Sequence, residues 1–397
     1  MSNSFEPDKV LVRYGEIGLK SLGIRRYLET LLRNHLRIML TRSGTEYSKI
    51  TRERGRFFIH TSNTQSAAHA ASRVFGVVST SPVWTTSSKP TKIVKLAKQL
   101  APQILSEGQS FAVRARRLKT HPFTSQEIAT QVGAAIIEVS ANKQTPISVD
   151  LDNPDVEVHI EIREKFTYLF TEIIKGPGGL PYGSQGTVVG LHSGGIDSPV
   201  AQWLMMKRGA RVIPLYFDTD LPDEKGLRIR AIQSATRLTE WIPVKKKELL
   251  IVPYYEILHR LQMPKYPKIT CILCKRMMYR MSAMVAAQED ATAIVTGETL
   301  GQVASQTLTN LTILDSAVAL PIFRPLIGMD KTETMEIARQ IGTYDVSSKD
   351  VGKCFAVPKQ PSIAAQLNLI HEAESKLAIA EMVTSAVSQL ERVALEK

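Results

Sequence analysis

The chain has 397 residues, 43% hydrophobic and 22% charged, an ordinary composition for a soluble globular protein and too long for one compact core. Its 50 Lys and Arg against 38 Asp and Glu give a net charge of +12, which favours a polyanionic partner. Met1–Lys9 lacks an apolar signal core and no later run reaches membrane-spanning length, so the expected location is cytoplasmic, with no membrane contact.

Residues 1–62 read as a small α/β unit. Val10–Val12 forms a strand, Arg25 to Leu40 a helix with Tyr27, Leu28, Leu31, Leu32 and Leu36 apolar, and Arg56–His60 a returning strand. Residues 63–173 read as a second mixed unit. Helices are expected at Ala67–Arg73, Ile93–Ile104 and Ser125–Ser140, and strands at Val77–Thr85, Ser110–Arg116 and Val156–Ile162. The glycine- and proline-dense run Lys175–Gly183 marks a linker over 174–186. In residues 187–397, strands at Thr187–Leu191, Arg211–Phe217, Trp241–Val244 and Thr292–Val295 alternate with helical stretches, the pattern of a doubly wound parallel sheet, and the tail from Pro361 is helical in composition.

The strand Thr187–Leu191 runs into Ser193-Gly194-Gly195-Ile196-Asp197-Ser198 and then into a helical pattern that Gly209 closes. Two glycines allow a tight turn and close approach to a ligand. Ser193 and Ser198 add hydroxyls, and the helix that follows offers unpaired N–H groups and a positive dipole end to an anion. The string reads as a pyrophosphate-binding loop. It resembles the PP-loop of the ATP pyrophosphatase superfamily, whose members cleave ATP between the α and β phosphates and adenylate a substrate.

Four further strings narrow the family: Arg13-Tyr-Gly-Glu-Ile-Gly-Leu-Lys20, Gly178-Gly-Leu-Pro181, Thr296 to Gln306 and Arg324 to Lys331. In this order, over nearly the whole chain, they resemble the tRNA 4-thiouridine synthetase (tRNA uracil 4-sulfurtransferase) family. The resemblance implies an amino-terminal ferredoxin-like domain, a THUMP domain that binds tRNA near its acceptor end, and a PP-loop domain that activates uridine 8. It also implies a homodimer with tRNA bound across both subunits. Two basic clusters agree with a tRNA partner: Arg52, Arg54 and Arg56, and Arg114, Arg116, Arg117 and Lys119. The alternative for each is a solvated charged face.

By chemistry, Gly194 and Gly195 should admit the ATP phosphates, with Ser193 and Ser198 adding hydroxyl contacts. Asp197 is assigned to Mg²⁺ or to loop geometry, and Lys331 to the phosphates or the charge developing on the leaving AMP. The nucleotide contacts that the resemblance implies fall on Leu191, His192, Tyr216, Phe217, Lys275, Gly297 and Gln306. Lys275 stands where arginine is common, and Leu191, Tyr216 and Phe217 can equally be core.

Three cysteines argue against a disulfide scaffold and for metal or sulfur chemistry. Cys271 and Cys274 stand three apart beside Lys275, Arg276 and Arg280, whose charge is expected to favour thiolates. Cys354 is expected to return to the same cleft. Many family members carry a carboxyl-terminal rhodanese domain that delivers persulfide sulfur. This chain stops at Lys397, so a short form without that domain, and without its role in thiamine thiazole synthesis, is expected. Sulfur would then come as free sulfide or from a cysteine desulfurase persulfide. Three thiolates suit an iron–sulfur cluster with one open iron, as the resemblance to the rhodanese-free archaeal-type branch implies. A persulfide on Cys354 with Cys271 and Cys274 as redox or resolving thiols, a zinc site, and inert buried cysteines stand as alternatives. Two other functions stay open: a 2-thiocytidine-type PP-loop thiolase and a non-catalytic THUMP RNA-binding protein.

Overall fold

The computed structural model describes residues 5–53, 55–219, 226–352 and 354–395. The chain divides into two units, Met1–Gly179 and Leu180–Lys397. In the first, β1 (Lys9–Tyr14) buries Val10, Leu11 and Val12, and α1 (Leu22–Arg42) buries Leu28, Leu32, Leu36 and Leu40 at one-turn spacing. The antiparallel pair β2 (Lys49–Glu53) and β3 (Arg56–His60), then α2 (Thr64–Ser72) and β4 (Val77–Ser87), follow. Next come α3 (Pro90–Ile104), β5 (Ser110–Arg117) and α4 (Ser125–Asn142), whose start is fixed by a Thr124–Glu127 capping box. The short β6 (Ser148–Val149), β7 (Val156–Ile162), β8 (Phe166–Phe170) and β9 (Ile174–Lys175) complete the unit.

These strands form one sheet in the order β2-β3-β1-β4-β8-β7-β5-β6, with β9 on β4. Strand β4 is 11 residues long and serves both halves: Val77–Val83 pairs with β1, and Trp84–Ser87 pairs with β8. Helix α2 packs on β1 and β4 through Ala67, Ala68 and Ala71. A division at residue 62 therefore falls inside the first α/β half, which needs α2 and β4 to close its core.

In the second unit the elements are β10 (Thr187–Leu191), α5 (Asp197–Lys207), β11 (Arg211–Asp218), α6 (Gly226–Leu238), β12 (Glu248–Pro253), α7 (Tyr255–Leu261), α8 (Thr270–Gln288) and β13 (Ile294–Val295). They continue through α9 (Leu308–Asp315), β14 (Ile322–Phe323), α10 (Lys331–Gln340), α11 (Tyr344–Ser347), α12 (Leu367–Glu374), α13 (Ile379–Ser388) and β15 (Glu391–Ala394). The sheet order is β14-β13-β10-β11-β12-β15, parallel except for β15. Chain order reverses at β10, between β11 on one side and β13 on the other. That reversal opens a crevice beyond the carboxyl end of β10, where open α/β sheets bind ligands.

Two expectations change here. Trp241–Val244 is not a strand: Trp241 ends a 3-10 turn and packs edge-on against Trp203. Pro243 lacks a ladder donor, whereas Leu249–Val252 is an unbroken buried run suited to the interior of a parallel sheet, and it supplies β12 instead. The tail is not helical throughout, because Glu391–Ala394 adds an antiparallel edge strand to β12.

Candidate active site

The loop after β10 is shaped by its own side chains. Ser198 Oγ accepts from the Ser193 N–H at 3.0 Å and lies 3.2 Å from Ser193 Oγ, which in turn accepts from the Gly195 N–H at 3.3 Å. Gly194 has φ +73°, and a Cβ there would stand 2.7 Å from the Ala231 Cα, so only glycine fits. Gly297, beyond β13, leaves equally little room: a Cβ would meet the Asp197 carbonyl carbon and the Ser198 nitrogen at 2.9 Å. Helix α5 starts at Asp197, so its first N–H groups and its positive end face the crevice.

The crevice holds a cavity of about 450 Å³. Leu191, His192, Ser193, Gly195, Asp197, Ser198, Tyr216, Phe217, Lys275, Gly297 and Gln306 all line it, so residues from four separate strings of the sequence converge. Tyr216 and Phe217 also belong to the core: Tyr216 packs with Ala231, Leu249 and Ile251, and Phe217 meets Tyr254 edge-on. These aromatics are core residues that also line the cavity. His192 is buried and donates from Nε2 to the Ala231 carbonyl at 3.1 Å. Burial depresses its pKa to about 4, so the ring is neutral at pH 7. Gln306 is buried as well, and its Oε1 has no hydrogen-bond partner among the described residues.

Lys331 opens α10, whose Asp330–Glu333 capping box fixes the helix start. Its Nζ donates to Asp197 Oδ1 at 2.6 Å while Gln302 Nε2 donates to Oδ2 at 3.1 Å, so both carboxylate oxygens are engaged. Glu298, 5% exposed, anchors the other wall. It receives Lys275 Nζ at 2.8 Å, the Tyr279 hydroxyl at 2.6 Å, Arg324 Nε at 2.8 Å and Thr296 Oγ1 at 3.1 Å. Burial works to raise its pKa, but the charge of Lys275 and the bonds it receives prevail and hold it near 2. Glu298, Tyr279, Gln302 and Arg230 escaped the sequence reading. Glu298 and Gln302 stand inside the Thr296–Gln306 string, which was the available signal; nothing in the sequence marked Arg230.

Cys271 and Cys274 occupy the first turns of α8, and Cys274 and Cys354 both line the cleft. The expected thiolate bias is absent. Arg276 and Arg280 both turn to Glu374, at 2.8 Å and 2.7 Å, and Lys275 is taken by Glu298. Burial pushes the Cys274 thiol up to about 12 and raises Cys271, and Cys354 adds to both shifts, which places the three within electrostatic reach of one another. Among the described residues, however, no group of three or more His, Cys, Asp or Glu is gathered closely enough to hold a metal ion. The donor types fit an iron–sulfur group; as placed, they do not form a ready cage.

In the first unit the basic residues differ in what holds them. Arg56 donates to Glu161 at 3.2 Å and 3.3 Å and is mostly buried. Arg114 binds Glu157 at 2.8 Å and the Leu151 carbonyl at 2.7 Å, and Arg117 binds the His121 and Phe123 carbonyls. Arg52 reaches Glu29 at 2.6 Å with half its side chain exposed, and Lys119 pairs with Glu164 at 3.0 Å on the open surface. Arg116 is exposed on β5, and Arg54 lies outside the described residues.

A PP-loop at the switch point of a parallel sheet, facing two thiols, defines a nucleotide-dependent sulfur-chemistry enzyme. Residues 183–379 match the family model of the thiamine biosynthesis protein (ThiI), residues 89–172 the THUMP domain, and residues 9–81 the ThiI ferredoxin-like domain. A relative from Methanosarcina acetivorans, described as "Probable tRNA sulfurtransferase", is 42% identical over 96% of this chain and 92% of its own length. A relative of the same description from Moorella thermoacetica is 37% identical over 98% and 97%. A solved 4-thiouridine synthetase–RNA complex with bound ATP superposes with a TM-score of 0.83 at 30% identity, covering 98% of this chain and all of that one. The chain belongs to the tRNA sulfurtransferase (ThiI) family and is a sulfur-transferring enzyme. Among the described residues, no helix is long and apolar enough to cross a membrane.

Proposed function

We propose that this chain uses ATP to convert uridine 8 of tRNA to 4-thiouridine. The observation that carries the proposal is that the PP-loop and two of the three cysteines line one cavity. ATP enters with Mg²⁺ as its substrate complex. The backbone of Gly194 and Gly195, the hydroxyls of Ser193 and Ser198 and the start of α5 receive the phosphates. Leu191, His192, Tyr216 and Phe217 form the wall for the adenine, and the unpaired Oε1 of Gln306 is an acceptor for an exocyclic amine. Gly297 is required because any side chain there would strike the start of α5.

Uridine O4 attacks the α-phosphorus, the α–β bond breaks and pyrophosphate leaves. A sulfur nucleophile then adds to C4, and the C4–O4 bond breaks as AMP departs with the oxygen. Lys331, aimed by Asp197, offsets the charge that builds on the phosphate in both steps. Each Asp197 oxygen accepts one hydrogen bond and keeps a further lone pair, so the carboxylate can aim Lys331 and still meet Mg²⁺.

Sulfur arrives as free sulfide or as a persulfide handed over by a cysteine desulfurase. Cys354 and Cys274 both line the cleft, so a persulfide carried on Cys354, with Cys274 or Cys271 resolving it, is one route. An iron–sulfur group on Cys271, Cys274 and Cys354 remains part of the proposal on donor type, since thiols are soft ligands for iron; when bound it would supply an open iron site for sulfide. Anaerobic iron and sulfide analysis decides between them: a metal-free protein that thiolates tRNA removes the cluster.

In the first unit, Arg52, Arg54, Arg56, Arg114, Arg116, Arg117 and Lys119 are proposed as the tRNA phosphate contacts. Arg116 is exposed and Lys119 sits in a surface pair that yields readily to phosphate, whereas Arg52, half exposed, is tied to the buried Glu29. A homodimer that binds tRNA across two subunits, at work in the cytoplasm, completes the proposal. The proposed domain limits are 1–62, 63–173 and 187–397, with a linker at 174–186, and β4 links the first two by pairing with both β1 and β8. Nucleoside mass spectrometry on tRNA from cells lacking the gene tests the function: 4-thiouridine disappears and 2-thiocytidine stays. Loss of 2-thiocytidine, or of neither, refutes it.

A further inference from the structure

Helix α6 touches two loops that the reaction must bring together. Its second turn presses on the PP-loop. The missing Cβ of Gly194 would stand 2.7 Å from the Ala231 Cα and 3.1 Å from the Arg230 carbonyl carbon, and the Ala231 carbonyl accepts from His192. The same helix also holds the segment that leads to Cys354. A Cβ on Gly226 would lie 3.4 Å from that of Val351, Arg230 Nη1 donates to the Lys349 carbonyl at 3.2 Å, and Ser234 Oγ lies 3.2 Å from Ser347 Oγ. Arg230 itself lines the cleft, as do Gly352 and Cys354. Its Nε is buried and has no hydrogen-bond partner among the described residues. An unbonded buried N–H is costly, and a phosphate oxygen in the cleft is an acceptor that would relieve it.

We propose that Arg230 is a positioning residue that couples nucleotide occupancy of the cleft to the placement of Cys354. The inference rests on the nucleotide reading given above. The guanidinium is planar, and its N–H groups hold fixed directions. A phosphate oxygen that accepts from Nε therefore fixes the plane, and the plane fixes Nη1 on the Lys349 carbonyl. The segment carrying Cys354 is then held in place by the ligand on the other side of the same side chain. Sulfur is presented when the base can be activated, and a vacant nucleotide site leaves the segment less restrained. A lysine cannot do this, because a single ammonium on a flexible stem does not hold two acceptors in a fixed relation.

Hydrogen exchange on the full chain, with and without Mg²⁺ and α,β-methylene-ATP, reads both ends of the coupling. This analogue cannot be cleaved at the α–β bond, and no RNA is added. In the unaltered chain the analogue should slow exchange about fivefold both in the peptide containing His192–Ser198 and in the peptide containing Lys349 and Cys354. Arg230→Ala should keep the first protection, which also shows that the variant is folded, and lose the second. Arg230→Lys should lose the second as well. Undiminished protection of the Cys354 peptide in either variant overturns the proposal. Protection of neither peptide in the unaltered chain overturns the nucleotide reading and this inference with it, so the His192–Ser198 peptide separates the two failures.

Discussion

Lys331 Nζ donates to Asp197 Oδ1 at 2.6 Å across 134 residues of sequence, tying the first residue of α10 to the first residue of α5. A lysine at a helix start is unfavourable to the dipole, so the carboxylate both neutralises it and aims it at the PP-loop. Asp197→Ala should lower kcat for AMP release by about 10²-fold or more while changing the ATP KM much less, because the lysine matters most where charge develops. Lys331→Met should show the same split. Steady-state AMP release with tRNA present measures both, and undiminished turnover in Asp197→Ala sinks the PP-loop assignment.

The two loop glycines should separate. Gly194→Ala forces a side chain into the backbone of α6 at φ +73°, and it should cost about 2 kcal/mol of stability. Gly195→Ala meets nothing closer than Ser193 Oγ at 3.5 Å, so it should leave the melting temperature nearly unchanged while weakening ATP binding where the phosphate approaches. Thermal melts and ATP titrations side by side check the contrast.

Glu298 carries a pH signature. Its pKa is near 2 in the folded chain against about 4.3 when unfolded, so its contribution is fully present above the unfolded value and is lost as pH falls through about 2. The shift corresponds to a contribution on the order of 3 kcal/mol. Glu298→Gln should therefore be less stable than the unaltered chain at pH 7, and the difference should shrink as pH drops below about 4. Urea midpoints at pH 3 and pH 7 for both proteins provide the measurement. A difference that does not change with pH would mean that the charge of Glu298 does not hold the Lys275 wall.

Arg116 and Arg56, one from each basic cluster, should fail differently. Arg116→Ala removes an exposed cation and should weaken tRNA binding, lowering the salt slope by about 1 with no loss of stability. Arg56→Ala leaves Glu161 with less compensation in a mostly buried site and should cost about 2–3 kcal/mol. Filter binding across a salt series, set against urea melts, distinguishes a phosphate contact from a structural ion pair.

Much of the site was legible because PP-loop chemistry is local: the string Ser193–Ser198 encodes its own turn, its own hydroxyl bonds and the helix that follows. The family strings added Gly297, Gln306 and Lys331, which the sheet brings together from far apart. What the sequence hid was tertiary. Glu298 is an anchor only because α8 supplies Tyr279 and Lys275 and the strand end supplies Arg324. The charges beside Cys274 suggested a thiolate, yet Arg276 and Arg280 point to Glu374 on α12, a pairing that no local spacing reveals. Trp241–Val244 reads as a strand by its apolar character, yet Pro243 has no N–H for a ladder, and β12 is formed instead by Leu249–Val252, whose burial depends on neighbours on both faces.

The most direct measurement is nucleoside analysis of a tRNA transcript incubated anaerobically with the purified chain, ATP, Mg²⁺ and, in parallel reactions, sulfide or a cysteine desulfurase with cysteine as sulfur source, with nucleotide products quantified in the same reactions. 4-Thiouridine should form at position 8, with about one AMP and one pyrophosphate for each sulfur inserted, and none when ATP is omitted. Release of ADP in place of AMP, sulfur insertion without ATP, or 2-thiocytidine as the thiolated product would contradict the proposed function.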